Sequence, residues 1–203
     1  MRKYGPKLQK KYLKETIIMK NQPSIHEYII TISSCFINTN IPFCIAGGIA
    51  VSLWGHVRAT EDLDVIALID ETHEIKLISA LENHFKVIHH KDKMLQSSLT
   101  PVKRYVIILN SFHFVLDILV ATNDFLKRCI QNRKLFSVKG INIPVINLED
   151  LIVLTCASGR YQDIADVQAL LAGSFPIDRD YSIKQLDALQ VTLAPDIQKI
   201  ILQ

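Results

Sequence analysis

The chain has 203 residues, 49% of them hydrophobic and 21% charged, with four cysteines and a formal net charge of +3. That is the composition of an ordinary globular protein, long enough to bury a core without staples, as one domain or a domain with a small appendage. Cys35, Cys44, Cys129 and Cys156 lie in apolar settings with no CxxC or metal-like spacing, which argues against a disulfide framework and points to buried thiols in a reducing compartment.

In chain order, a basic helix is expected over about residues 6–19. Residues 1–20 hold seven basic side chains against Glu15, a net +6, so the remainder of the chain is −3. Such a segment could steer the protein towards nucleic acid or an acidic partner, or form a solvated helix face. Its apolar stretch, TIIM, is too short for a signal peptide, and Asp117 breaks the most apolar run, FHFVLDILVA, so no membrane span is expected and the location is read as cytoplasmic.

SIHEYIITISSCFINT reads as a helix capped by Ser24, with Ile25, Tyr28, Ile29, Ile32 and Phe36 at helical spacing. IPFCIAGG is a short buried strand ending in Gly47-Gly48. IAVSLWG is a helix closed by Gly55, and LDVIALI is a strand. A helix over THEIKLISALENHF and a short strand over KVIHH follow. KRYVIILN and FHFVLDILVA are expected to form a hairpin around Asn110-Ser111. NDFLKRCIQN is helical and INIPVI extended. From Asn147, a helix cap with Asp150 three residues on, helices are expected at about 148–157, 160–172, 182–190 and 195–202. The fold class is α+β: a mixed sheet core over residues 23–146, preceded by the basic segment 1–22 and followed by a helical region, 147–203, that closes a cleft.

The chemistry lies in three acids. Strand side chains alternate faces, so Asp62 and Asp64 point the same way. If the strand starts as early as Arg58, then Arg58 and Thr60 join them. On the later strand Phe112, Phe114, Leu116 and Ile118 form the apolar face, and Asp117 lies on the other. If the strands are neighbours, Asp117 meets Asp62 and Asp64. Such a trio repels itself unless protonated or bridged by cations, and hard oxygen donors select Mg²⁺ or Mn²⁺. Two such ions about 3.5–4 Å apart would serve phosphoryl-type transfer. A solvated strand end carrying DLD, with Asp117 a lone hydrogen-bonded acid, is the plainer alternative. The glycines at 47–48 suit close approach of a phosphate, or simply a tight strand-to-helix turn.

The ordered set AGGIAVSLWGHVRATEDLDVIAL resembles the signature of the nucleotidyltransferase superfamily with the polymerase-β-like fold, and in particular the branch with AbiEii-type toxins of type IV toxin–antitoxin systems and minimal nucleotidyltransferases. LEDLIVLTCASGRYQDIADVQALL resembles that family's C-terminal block. The resemblance implies an NTP substrate and an acceptor hydroxyl on tRNA or protein, with a cognate antitoxin as a possible partner. It also implies that Gly47, Gly48 and Ser52 hold the phosphates, that Asp62 and Asp64 bind both metals, and that Asp117 is the third carboxylate, orienting or deprotonating the acceptor. Arg58 and Thr60 would support the phosphates or loop, and Arg160, Asp163 and Asp166 would line the cleft. The last three could equally be a surface ion-pair row. Thr155 stands where the family often has a lysine on the triphosphate, and Lys103, Lys139 and Arg160 are candidates to replace that charge. The departure admits a nucleotide-binding or interaction module without turnover. A third option is a small-molecule acceptor such as an aminoglycoside. His89-His90 lacks a third ligand, and Trp54 reads as core.

Overall fold

The structure is a computed structural model and describes residues 24–60, 62–89, 95–96, 99–109, 112–158, 161–193 and 195–201. The basic segment 1–22 and Arg160 lie outside these residues. The helix α1 (Ile25–Asn38) begins as its sequence demands: Ser24 accepts from the Glu27 N–H while Glu27 reaches back to the Ser24 N–H, a closed capping box. The strand β1 (Phe43–Ala46) follows, then α2 (Gly47–Leu53) and β2 (Asp62–Ala67). Next come α3 (Glu71–Glu82), β3 (Lys86–His89), β4 (Leu95–Gln96), β5 (Pro101–Leu109) and β6 (Phe112–Val120). The remainder is α4 (Asp124–Gln131), β7 (Lys134–Val138), β8 (Ile141–Val145), α5 (Leu148–Ser158), α6 (Tyr161–Leu171), α7 (Arg179–Ala188) and α8 (Pro195–Ile201).

The strands form one mixed sheet in the order β3-β5-β6-β2-β1-β8-β7, with β4 pairing β5. Two neighbours run parallel, β2 with β6 and β1 with β8; the other pairs are antiparallel. The expected antiparallel pair is present, with Leu109 opposite Phe112; the connecting Asn110-Ser111 lies outside the described residues. The strand β7, by contrast, was not expected from the sequence. It is an edge strand whose side chains are mostly exposed, so it lacks an apolar face for alternation to reveal. Lys139 and Gly140 at its turn have φ of 49° and 81°, the positive pair of a tight hairpin connection.

One face of the sheet, carrying Leu63, Val65, Ala67, Leu116 and Ile118, is covered by α1 and α3. Tyr28 of α1 stacks on Phe114 at 4.7 Å, and Glu74 of α3 takes hydrogen bonds from Lys103 and Tyr105. On the other face Cys44 lies near Asp150 of α5, close enough for that charge to be felt. A single hydrophobic cluster runs from Tyr28 to Ile201, joining the sheet to the C-terminal helices. All four cysteines are free and buried, and burial pushes the Cys156 thiol up to about 12. At α5 the expected cap is half realised: Asn147 accepts from the Asp150 N–H at 2.8 Å, but the Asp150 carboxylate turns to the Tyr181 hydroxyl at 2.7 Å. No helix among the described residues is long and apolar enough to cross a membrane.

Candidate functional site

Three acids share one face of the sheet. In the parallel pair β2–β6, Asp64 stands opposite Asp117, and Asp62 stands opposite Val115. Opposed residues point the same way, and Asp62 follows Asp64 by the period of two. The face reading from the sequence is therefore realised for all three. Asp117 is buried, whereas Asp62 and Asp64 are partly exposed at the start of β2.

The strand does not begin at Arg58. Residues 56–60 are irregular and β2 starts at Asp62, so alternation does not bring Arg58 and Thr60 to the site. They arrive by their own contacts. The Thr60 hydroxyl donates to Asp62 Oδ1 at 2.7 Å and to the Asp62 carbonyl at 3.2 Å, fixing the first carboxylate. Arg58 folds back over α2, and its Nε lies 3.3 Å from Asp166 Oδ2.

Gly47 and Gly48 open α2 rather than precede it, and the site's own side chains require them. Gly47 has φ of +59°, and a Cβ there would sit 1.9 Å from Asp64 Oδ2. A Cβ on Gly48 would sit 2.6 Å from Arg58 Nη2. The pair thus lets a carboxylate and a guanidinium close on the backbone. Ser52 is occupied locally: its hydroxyl donates to the Gly48 carbonyl at 3.0 Å and accepts from the Arg58 N–H at 3.4 Å, pinning the loop to the helix.

Asp163 and Asp166 are buried, so they are not a surface ion-pair row. Asp163 accepts from the Ser158 hydroxyl, tying α6 to α5, and Asp166 meets Arg58. The site's most consequential neighbour was missed from the sequence. Arg104 of β5 stands opposite Asp117 and grips both its oxygens, Nε to Oδ1 at 2.7 Å and Nη2 to Oδ2 at 2.5 Å. That hydrogen-bonded pairing raises the arginine's pKa, with Asp62 and Asp64 adding to the effect through their charge. The signal was available: the register that pairs Leu109 with Phe112 also sets Arg104 against Asp117.

Residues 31–178 match the family described as nucleotidyltransferase of unknown function (DUF6036). The chain belongs to that nucleotidyltransferase family. Among curated proteins no sequence matches it. Its fold is similar to an antigenic nucleotidyltransferase-like protein from Paracoccidioides brasiliensis, at 15% identity and a TM-score of 0.57, over 87% of this chain and 91% of that one. It is also similar to the antibiotic-resistance factor ANT(2'')-Ia, at 13% identity and a TM-score of 0.51, over 81% of this chain and 88% of that one.

For Mg²⁺ or Mn²⁺ the acidic face offers hard oxygen donors: the carboxylates of Asp62 and Asp64 on one face, with Asp117 alongside. Among the described residues no three His, Cys, Asp or Glu side chains form a ready metal cluster. Asp117 is instead engaged by Arg104. Thr155 is buried and donates to the Leu151 carbonyl at 2.7 Å, so this position offers no cation to a triphosphate. Lys103 is not its replacement, because it lies on the opposite face of β5 and pairs with Glu74. Lys139 sits in the β7–β8 turn. Trp54 packs edge-on to Phe136 and Phe175 and donates to the Ile146 carbonyl at 3.0 Å, a core role as expected.

Proposed function

We propose that this protein is a metal-dependent nucleotidyltransferase that moves an NMP group from an NTP to a hydroxyl on a macromolecule, tRNA or protein. The observation that carries the reading is the in-register opposition of Asp64 and Asp117, with Asp62 on the same face and Gly47 shaped around the Asp64 carboxylate. Asp62 and Asp64 would hold Mg²⁺ or Mn²⁺, with Asp117 becoming the third ligand once Arg104 frees one of its oxygens. When bound, the ions would offset the charge of the triphosphate and lower the pKa of an oxygen they touch.

The chain's own groups divide the remaining work. Thr60 keeps Asp62 oriented, and Arg58, held by Asp166, presents a positive charge beside Gly48 for the phosphates. The acceptor oxygen attacks the α-phosphorus, its proton passes to Asp117, and the bond to the bridging oxygen breaks to release pyrophosphate. For Asp117 to take that proton, at least one oxygen must leave Arg104. The seven basic residues within 1–20 support an RNA or acidic protein acceptor over a small molecule. The AbiEii-type reading adds growth arrest on expression, relieved by a co-encoded antitoxin.

Incubation with each α-labelled NTP, Mn²⁺ or Mg²⁺, and total RNA, protein extract or an aminoglycoside tests this directly. A labelled macromolecule and released pyrophosphate are expected. Equal labelling by Asp64→Ala would overturn the mechanism, and labelling of the aminoglycoside alone would overturn the acceptor class. The buried, internally bonded Thr155 favours a second reading, a nucleotide-binding module without turnover. It is supported if calorimetry detects NTP binding while no metal yields pyrophosphate.

A further inference from the structure

The proposed chemistry requires Arg104 to let go of Asp117 but gives the arginine no role of its own. Its guanidinium occupies both oxygens of Asp117, so that carboxylate cannot also give an oxygen to a cation or accept a proton without loosening the grip. Arginine cannot vacate the site by deprotonating, because its pKa is far above neutrality and Asp117 raises it further. It must move. The arginine side chain is 38% exposed against 7% for Asp117, so the guanidinium has solvent to swing into while the carboxylate stays anchored in the sheet.

The charge balance points the same way. Asp62, Asp64 and Asp117 present three carboxylates to one face, and Arg104 is near enough to all three to be affected by each. With no cation bound, the Arg104 guanidinium bonds both Asp117 oxygens and sets one positive charge among the carboxylates. Once a divalent ion sits between the carboxylates, the same guanidinium becomes a like charge beside it. An arrangement in which both occupy Asp117 fully is penalised twice, by the shared oxygens and by cation–cation repulsion.

We propose that Arg104 is a built-in counter-cation that competes with divalent metal for Asp117, so that metal recruitment and release of the arginine are one exchange. Arg104 is then a positioning residue. It holds the third carboxylate aligned in the resting site and sets the metal concentration at which the site becomes complete. The inference rests on the metal-dependent reading above.

Mn²⁺ titration of the full chain without nucleotide, followed by electron paramagnetic resonance of the free ion, tests it. Arg104→Gln is expected to bind Mn²⁺ roughly tenfold or more tightly than the parent, the scale of losing a charged hydrogen-bonded competitor. The gain should vanish in an Asp117→Asn background. Arg104→Lys, which keeps the charge but cannot span both oxygens, should fall between. A merely structural Arg104 would leave Mn²⁺ affinity unchanged or weaken it, and either result, in a protein whose melting temperature is intact, overturns the proposal. Should Arg104→Gln fail to fold, the Arg104 Nε–H resonance of the parent decides: it should move on Mg²⁺ addition but not in Asp64→Ala, and an unmoved signal in the parent overturns the exchange. Asp64-dependent Mn²⁺ binding that is indifferent to Arg104 sinks this inference alone. Absence of Mn²⁺ binding in every variant sinks the metal-dependent reading and this inference with it.

Discussion

Lys103, Arg104 and Tyr105 are consecutive on β5 and alternate between two faces of the sheet that treat charge differently. On the side covered by α1 and α3, Lys103 and the Tyr105 hydroxyl converge on Glu74, so one acid meets one base and one neutral donor. On the opposite side Arg104 meets Asp117, with the charges of Asp62 and Asp64 close enough to be felt. The first network clamps α3 to the sheet, as a buried polar group must be satisfied to be tolerated. The second gathers three carboxylates on one stretch of the sheet, a crowding of like charge suited to a positively charged visitor. That crowding separates the structural network from the functional one where burial and hydrogen bonding do not.

The sharpest way to break this comparison is to remove one acid from the crowded side. Asp64→Ala should lower nucleotidyl transfer by roughly 10³-fold, about 4 kcal/mol of transition-state stabilisation. Transfer that survives the substitution in a folded protein would mean that the acids are structural.

Gly47→Ala comes next. The added Cβ must displace the Asp64 carboxylate from a position 1.9 Å away, in a backbone conformation side chains rarely adopt. Transfer should fall by roughly 10²-fold and stability by about 1–3 kcal/mol, readable from turnover and denaturant titration. On the balanced side, Tyr105→Phe strips Glu74 of a donor. It should cost about 1–3 kcal/mol in stability and leave turnover alone; a fall in turnover would erase the division between the faces.

The smallest effect concerns Asp150, whose pKa burial raises from 3.8, against the Tyr181 hydrogen bond that lowers it. Between its ordinary and its raised pKa the native state holds more protons than the unfolded state, so this group's contribution falls as pH rises from just below 4. Asp150→Asn keeps an acceptor for Tyr181 and removes that loss. Its melting temperature relative to the parent should therefore rise between pH 4 and pH 7. A difference that shrinks over that range would show the charge to be compensated by Arg128, which also lowers this pKa.

Much of the site was legible because strand alternation is strict. Asp62, Asp64 and Asp117 could be placed on one face without coordinates, given that β2 and β6 are neighbours. Arg58 and Thr60 could not, because the same rule was extended past the end of the strand into irregular chain, where side chains follow contacts rather than a period. Arg104 was missed because its strand was read by itself, although hairpin register carries the information to pair it with Asp117. Lys103 shows the cost of the same omission: one residue away, it faces the wrong side to serve a triphosphate. The glycines were found for a partial reason. Close approach is what they permit, but the approaching groups on view are Asp64 and Arg58. The edge strand β7 was invisible because exposure leaves its sequence without a pattern.

The bridge from Arg58 to Asp166 gives the order of synthesis a meaning. The arginine leaves the ribosome long before the helix that carries its carboxylate partner, so a nascent chain released only as far as β8 has its three acids but no Asp166 to hold the Arg58 guanidinium. Competence would then be acquired late, when the last helices dock, and a truncated product should be inert even where its sheet has formed.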